Sequence, residues 1–153
     1  MDVYENLKKL GITLPEPPPL GGLYVPVKQT GKLLYCSGQG PTVQGVPIMT
    51  GKLGAELSIE QGQEAARACV LNVLSILHAF TGDLNRISGV IKTLVFVASA
   101  PGFNRQPEVA NGASQLFIDV FGEGGRHCRS AVGHNELPGN IPVEIEGIFE
   151  VKE

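Results

Sequence analysis

Residues 59–80 carry apolar side chains at three- and four-residue steps: Ala65, Ala66, Cys69, Val70, Val73, Leu74, Leu77 and Phe80. A helix of that length with one broad apolar stripe cannot stand alone in water, so it must lie against another apolar surface. Its start is marked by Ser58-Ile59-Glu60-Gln61, the spacing at which a serine oxygen and a glutamine side chain satisfy two otherwise orphan amide donors. Thr81-Gly82 marks its end.

The surface that covers this helix is legible in the rest of the chain. Two β-like runs, Tyr24–Gln29 and Leu33–Ser37, flank Thr30-Gly31-Lys32 and predict a hairpin. Val43–Met49, with Gly45 and Pro47, predicts a weak edge strand or a long loop. Val90–Ser99 is rich in β-branched residues and predicts a central strand buried on much of both faces, closed by Pro101-Gly102. Residues 107–121 place Val109, Ala113, Leu116, Phe117, Val120 and Phe121 at helical spacing before Gly122 and Gly124-Gly125. Two final strands, over about residues 126–133 and 142–151, are separated by Asn135–Asn140 with Pro138-Gly139 as the turn. Hairpin, helix, strand, helix and two strands describe an α+β chain whose two long helices cover one face of a mixed sheet.

Ahead of this core, residues 2–10 place Val3, Leu7 and Leu10 on one face of a short amphipathic helix stopped by Gly11. Pro15-Glu16-Pro17-Pro18-Pro19 cannot be helix or central strand; it reads as an extended spacer or as a proline-rich ligand for another domain. A length of 153 residues accommodates a single domain, with residues 1–20 as an extension and 21–153 as the core.

Composition narrows the function classes. Twelve Lys and Arg against 15 Asp and Glu give a net charge of −3, so no overall positive field favours nucleic acid. The longest apolar stretches, Ala65–Leu77 and Gly89–Ala100, are interrupted by Arg67, Asn72, Ser75 and Lys92. They fall short of the roughly 20 apolar residues that a membrane span requires. The first residues lack the basic and apolar regions of a secretion signal, so the expected location is cytoplasmic. Cys36, Cys69 and Cys128 form an odd set without a C-x-x-C pair, the pattern of reduced thiols.

The chemistry-bearing residues concentrate near the C-terminus. In Val143–Val151 strict alternation puts Val143, Ile145, Phe149 and Val151 on a core face and Glu144, Glu146 and Glu150 on the other. Those carboxylates fit a solvated sheet face, or an interface at which one of them positions water or acts as a base. In Arg126–Val132 the period of two puts His127, Arg129 and Ala131 on one side and Cys128, Ser130 and Val132 on the other. A guanidinium in mid-strand has to be paired, either in a structural salt bridge or with the carboxylate of a ligand, which its planar fork suits. Gly38-Gln39-Gly40 is no complete phosphate loop, and Ser37 sits in no G-x-S-x-G elbow. His78, His127 and His134 lack metal-ligand spacing, so no metal site is expected, and Cys128 reads as a packed thiol aimed away from Arg129.

Leu34-Tyr35-Cys36-Ser37-Gly38-Gln39-Gly40-Pro41, preceded by Tyr24 and Gly31, resembles a signature segment of the reactive intermediate deaminase (Rid) family, also called YjgF-type or L-PSP endoribonuclease proteins. Arg129-Ser130-Ala131-Val132, then Leu137-Pro138, then Val143-Glu144-Ile145-Glu146, resembles its R-S-x-V…L-P…[VI]-E-[VI]-E signature. The fifteen-residue separation of Arg129 and Glu144 matches as well. The resemblance covers roughly Gly21 to Val151.

It implies a fold like that of the bacillary, trimeric chorismate mutase: a homotrimer around a central β-barrel with active clefts between subunits. It also implies hydrolysis of reactive 2-imino and enamine acids, such as 2-iminobutanoate and 2-iminopropanoate, to 2-keto acids and ammonia, a form of metabolite damage control that needs no cofactor. In that scheme Arg129 clamps the substrate carboxylate and Glu144 holds or deprotonates the attacking water. Tyr24 lines the cleft from a neighbouring subunit, and the backbone around Ser37 and Gly38 contacts the substrate. Asn111 and Ser114 are the two candidates for the polar residue that the family places on the second helix. Ala131 stands where the family often has cysteine, and the N-terminal extension exceeds the compact pattern. The alternatives to a deaminase are a non-catalytic regulatory protein that binds a small carboxylate or keto acid, and an endoribonuclease or translation inhibitor, which the negative charge disfavours.

Overall fold

The computed structural model describes residues 1–153. In chain order the elements are α1 (Val3–Lys9), β1 (Val27–Thr30), β2 (Leu33–Gln39), β3 (Thr42–Val43), β4 (Val46–Pro47), α2 (Ile59–Thr81), β5 (Ile87–Ala98), α3 (Gln106–Phe121), β6 (Cys128–His134) and β7 (Val143–Val151). The capping box forms as its spacing predicts. Gln61 N–H donates to Ser58 Oγ at 3.2 Å and Ser58 N–H donates to Gln61 Oε1 at 2.9 Å. Gly82 ends α2 in the left-handed region at φ +76°, where a side chain would strain the backbone.

Five strands form one mixed sheet in the order β1-β2-β7-β5-β6. Every neighbouring pair is antiparallel except β5 and β6, and that parallel pair is joined through α3, because parallel neighbours need a crossover. Thr93, Val95 and Val97 of β5 and Val143, Ile145, Phe149 and Val151 of β7 are buried on the face that α2 and α3 cover. Phe117 of α3 meets Phe149 there with ring centroids 5.8 Å apart. Lys92, Leu94 and Phe96 of β5 and Glu144, Glu146 and Ile148 of β7 turn to the opposite face, which stays half-buried to exposed. The architecture is an α+β fold of three α-helices and a five-stranded mixed sheet, with the two long helices on one face.

The N-terminal extension is docked. Val3 and Leu7 are buried, the Tyr4 hydroxyl accepts from Leu84 N–H at 2.8 Å and bonds His78 Nδ1 at 2.9 Å, and Asn6 Nδ2 donates to the Val120 carbonyl at 2.9 Å. From there the proline-rich segment reaches the β3–β4 turn, where Pro19 packs on Gly45.

Several expectations shift. The first strand begins at Val27, so Tyr24 lies outside it: residues 22–24 bend, and Pro26 supplies no amide donor. In place of an edge strand or long loop over Val43–Met49, Thr42–Val43 and Val46–Pro47 form a miniature hairpin turning at Gln44 and Gly45 with positive φ. β5 starts three residues earlier than its β-branched run, and it is buried on one face only. Leu10 is 37 % exposed and Phe80 46 % exposed, because Leu10 lies just past the last residue of α1 and Phe80 lies beyond Leu77, the last buried residue of the α2 stripe.

Asn72, buried to 1 % on the apolar stripe of α2, uses its Nδ2 to hold the Gly40 carbonyl at 3.0 Å, the Thr42 carbonyl at 2.9 Å and Thr42 Oγ1 at 3.1 Å. That one amide pins the turn leaving β2. Asn72→Leu is expected to cost about 2 kcal/mol, mainly through the orphaned Thr42 carbonyl, since the Gly40 carbonyl keeps its bond from Thr42 N–H, and is read as a lower midpoint in urea unfolding.

Candidate active site

Two clusters of polar side chains emerge, on opposite faces of the sheet. The first is built where α3 passes over the edge strand β6. Period-two geometry points Arg129 toward α3, and one helical turn of α3 presents Asn111 and Ser114 to it. Arg129 Nη1 donates to Asn111 Oδ1 at 2.8 Å and to Ser114 Oγ at 3.1 Å. Nε and Nη2 make no hydrogen bond within the chain, which leaves one complete donor edge of the guanidinium for a planar acceptor such as a carboxylate. No acidic side chain pairs with Arg129, so the structural salt bridge is not formed within the chain. Both helix candidates therefore act on the arginine, because residues three apart on a helix share a face.

Ser114 also bonds Nε2 of His127 at 3.0 Å, and His127 Nδ1 meets the Gly125 carbonyl at 2.7 Å. His127 is the site residue that sequence reasoning did not select. Its signal was the same alternation that placed it beside Arg129.

The second cluster joins β2 and β7. Glu144 lies across Gly38, so close that a Cβ at that glycine would stand 3.0 Å from the carboxyl carbon. Burial, and secondarily the charge of Glu146, pushes the Glu144 carboxyl above the usual glutamate value, while His134 pulls it back in part. Ser37 Oγ donates to the Val25 carbonyl at 2.7 Å and Ser37 N–H to the Pro26 carbonyl at 2.9 Å, which ties the segment carrying Tyr24 to β2. Tyr24 is 48 % exposed beside this cluster, with its hydroxyl accepting from Gly21 N–H at 3.2 Å. A cavity of about 420 Å³ opens on the same sheet face, lined by Lys28, Tyr35, Ser37, Lys92 and Glu146, and Arg129 does not reach it.

Register places the two clusters apart. Arg129 pairs with Thr93 and through it with Gly147, whereas Glu144 pairs with Phe96, and positions 93 and 96 of one strand face opposite ways. The separation is roughly 10 Å across the strands and roughly 10 Å along them. One small ligand cannot touch both groups of the same chain. No three His, Cys, Asp or Glu side chains converge as a metal site would require.

The raised Glu144 pKa has a definite sign in stability. The folded chain holds this proton more tightly than the unfolded chain, so ionised Glu144 weakens the fold above its folded pKa, and the penalty disappears as pH falls below about 4.5. Glu144→Gln is expected to raise the melting temperature at pH 7 and to lose that gain near pH 4, as scanning calorimetry at the two pH values would show.

The family model described as "YjgF/chorismate_mutase-like, putative endoribonuclease" matches residues 5–144. The chain is 47 % identical to Protein TCP17 of Trypanosoma cruzi over 150 residues, 97 % of this chain and 94 % of the relative. It is 28 % identical to the 2-iminobutanoate/2-iminopropanoate deaminase of Dermatophagoides farinae, over 92 % of this chain and 95 % of that protein. The crystal structure of Atu1372, a protein of unknown function from Agrobacterium tumefaciens, superposes with a TM-score of 0.91 at 44 % identity, over 98 % of this chain and 92 % of that one. With a family model that runs from α1 through both long helices to the start of β7 and a close relative along nearly its whole length, the chain belongs to the YjgF/chorismate mutase-like family.

Proposed function

We propose that the protein is a hydrolytic deaminase of small 2-imino and enamine acids, releasing 2-keto acids and ammonia, and that it acts as a homotrimer. The observation that carries this reading is the Arg129 guanidinium, held through Nη1 by Asn111 and Ser114 with its Nε/Nη2 edge unpaired. That edge matches the carboxylate of an imino acid in a side-on, bidentate geometry. Similarity to the mite deaminase agrees in substrate class.

The opposite-face placement of Arg129 and Glu144 supports a cleft between subunits. A substrate about 5 Å long meets both only when a second copy brings its β2–β7 cluster, with Tyr24, Ser37, Gly38 and Glu144, to the β6 edge of the first. The uncovered sheet face, with Leu94, Phe96 and Ile148 half-buried, then supplies the interior of a closed three-fold assembly.

In that cleft Arg129 fixes the carboxylate and thereby the position of the imine carbon. Glu144, with its raised pKa, takes a proton from water as the oxygen attacks that carbon and returns it to the departing nitrogen. Water adds to the C=N bond, the tetrahedral carbinolamine loses ammonia, and the keto acid remains.

The test generates 2-iminobutanoate and 2-iminopropanoate in situ with an amino-acid oxidase and follows keto-acid release. Wild-type protein is expected to accelerate release, Arg129→Ala to reduce kcat/KM by at least about 100-fold and Glu144→Gln to act mainly on kcat. Absence of acceleration by folded protein would sink the deaminase reading. Light scattering is expected to give three times the chain mass, and a monomer would remove the intersubunit cleft.

A further inference from the structure

His127 has no part in the reaction as just described, yet it is half-buried and both of its ring nitrogens are engaged. The Gly125 carbonyl oxygen can only accept, so Nδ1 carries the proton of that 2.7 Å bond. In the neutral ring Nε2 is then an acceptor, and the Ser114 hydroxyl must donate to it across 3.0 Å. The lone pairs of Ser114 Oγ are left for Arg129 Nη1, whose second proton goes to Asn111 Oδ1. Each hydrogen bond from Gly125 to Arg129 has a single permitted direction. The ring itself is held edge-on against Phe117, with centroids 5.7 Å apart at 78°.

We propose that His127 is a positioning residue: the chain Gly125 carbonyl, His127, Ser114 orients the serine hydroxyl so that Arg129 Nη1 stays fixed and the Nε/Nη2 edge is kept free for a carboxylate. The proposal rests on the reading of Arg129 as the carboxylate clamp. It assigns to neutral His127 the binding-competent state. Protonation turns Nε2 into a donor and deprives the serine proton of its acceptor, so Ser114 Oγ loses the orientation that fixes Arg129 Nη1.

Arg129 is the charge that bears on the ring from β6 itself. On α3, Glu108 and Asp119 are engaged by Arg105 and Gln115, and in the turn before β6 Glu123 pairs with Arg126. The charged side chains of β5 and β7, Lys92, Glu144, Glu146 and Glu150, stand on the other sheet face. Burial first and the Arg129 charge second hold the ring below the ordinary histidine value of 6.5, with the Gly125 bond offsetting part of the shift. Carboxylate affinity is therefore expected to fall as pH drops through a point below 6.5.

The full-length protein is tested in two ways. Nitrogen NMR of histidine-labelled protein at pH 7.5 is expected to show His127 as the Nδ1–H tautomer, and the Nε2–H tautomer would overturn the proposal without reference to any ligand. Titration calorimetry with 2-oxobutanoate between pH 5 and 8 compares the wild type with Arg129→Ala, His127→Phe, His127→Gln and Ser114→Ala. His127→Phe and Ser114→Ala are each expected to weaken binding about tenfold. His127→Gln, whose Oε1 can accept from Ser114 but cannot titrate, is expected to restore most of the affinity and flatten the pH profile. If His127→Phe does not fold, His127→Gln carries the test through its flattened pH profile, because Ser114→Ala also removes the direct acceptor of Arg129 Nη1. Binding lost in Arg129→Ala but unchanged, with an unchanged pH profile, in Ser114→Ala and His127→Gln would overturn the positioning role and leave the clamp standing. No binding by the wild type, or binding indifferent to Arg129→Ala, would remove the clamp and the proposal with it.

Discussion

The last strand is the middle of the molecule. β7 pairs with β2 on one side and β5 on the other, so the hairpin made by the first half of the chain and the β5–α3–β6 unit made by the second become one sheet only when the nine residues of β7 arrive. Val143, Ile145, Phe149 and Val151 fill the space beneath both long helices, and Glu144 rides on the same strand against Gly38. Core and chemistry thus depend on one ladder. The contact is among the least local the chain can make, and the entropy of closing so long a loop places β7 insertion late in folding.

Alternation along strands also explains why a single chain holds two incomplete clusters. A strand must offer one face to the helices and the other away from them, so neighbouring functional positions on β6 and β7 are divided between faces by parity alone. Arg129 falls on the helix side and gains Asn111 and Ser114 as supports, while Glu144 falls on the open side and gains partial burial from Gly38 and the β2 turn. Within one chain the arginine has one edge occupied and one edge empty, and the carboxyl has its proton affinity raised by burial. In the proposed assembly, copies of the chain bring these pieces into one cleft.

Polar residues on otherwise apolar faces mark where the fold controls its loops. Asn72 interrupts the stripe of α2 to hold the turn after Gly38, and His127 sits against Phe117 to bond Ser114. Neither forms a motif. Such residues become meaningful only when their partners are known, because a lone Asn or His in a periodic pattern also fits a satisfied core position. Ala131 stands two residues from Arg129 on the same face of β6, where the family pattern often has a thiol, while the exposed Cys128 thiol of that strand points the other way.

By itself the sequence determined the local structure of the two long helices, the alternation of the final strand, the hairpin and the α+β class. These follow from spacing, capping and turn chemistry, which act within a few residues. It also determined which face of its strand each of Arg129 and Glu144 occupies, and the paired motifs around them pointed to the family. Only the tertiary structure decided that β7 enters between β2 and β5, that both Asn111 and Ser114 reach Arg129, that β5 is covered on one side only, and that Tyr24 stands outside its strand. Those outcomes depend on sheet order and on the crossing of α3 over β6, which are settled by packing between residues distant in the chain. Local periodicity carries no information about which strand will be its neighbour.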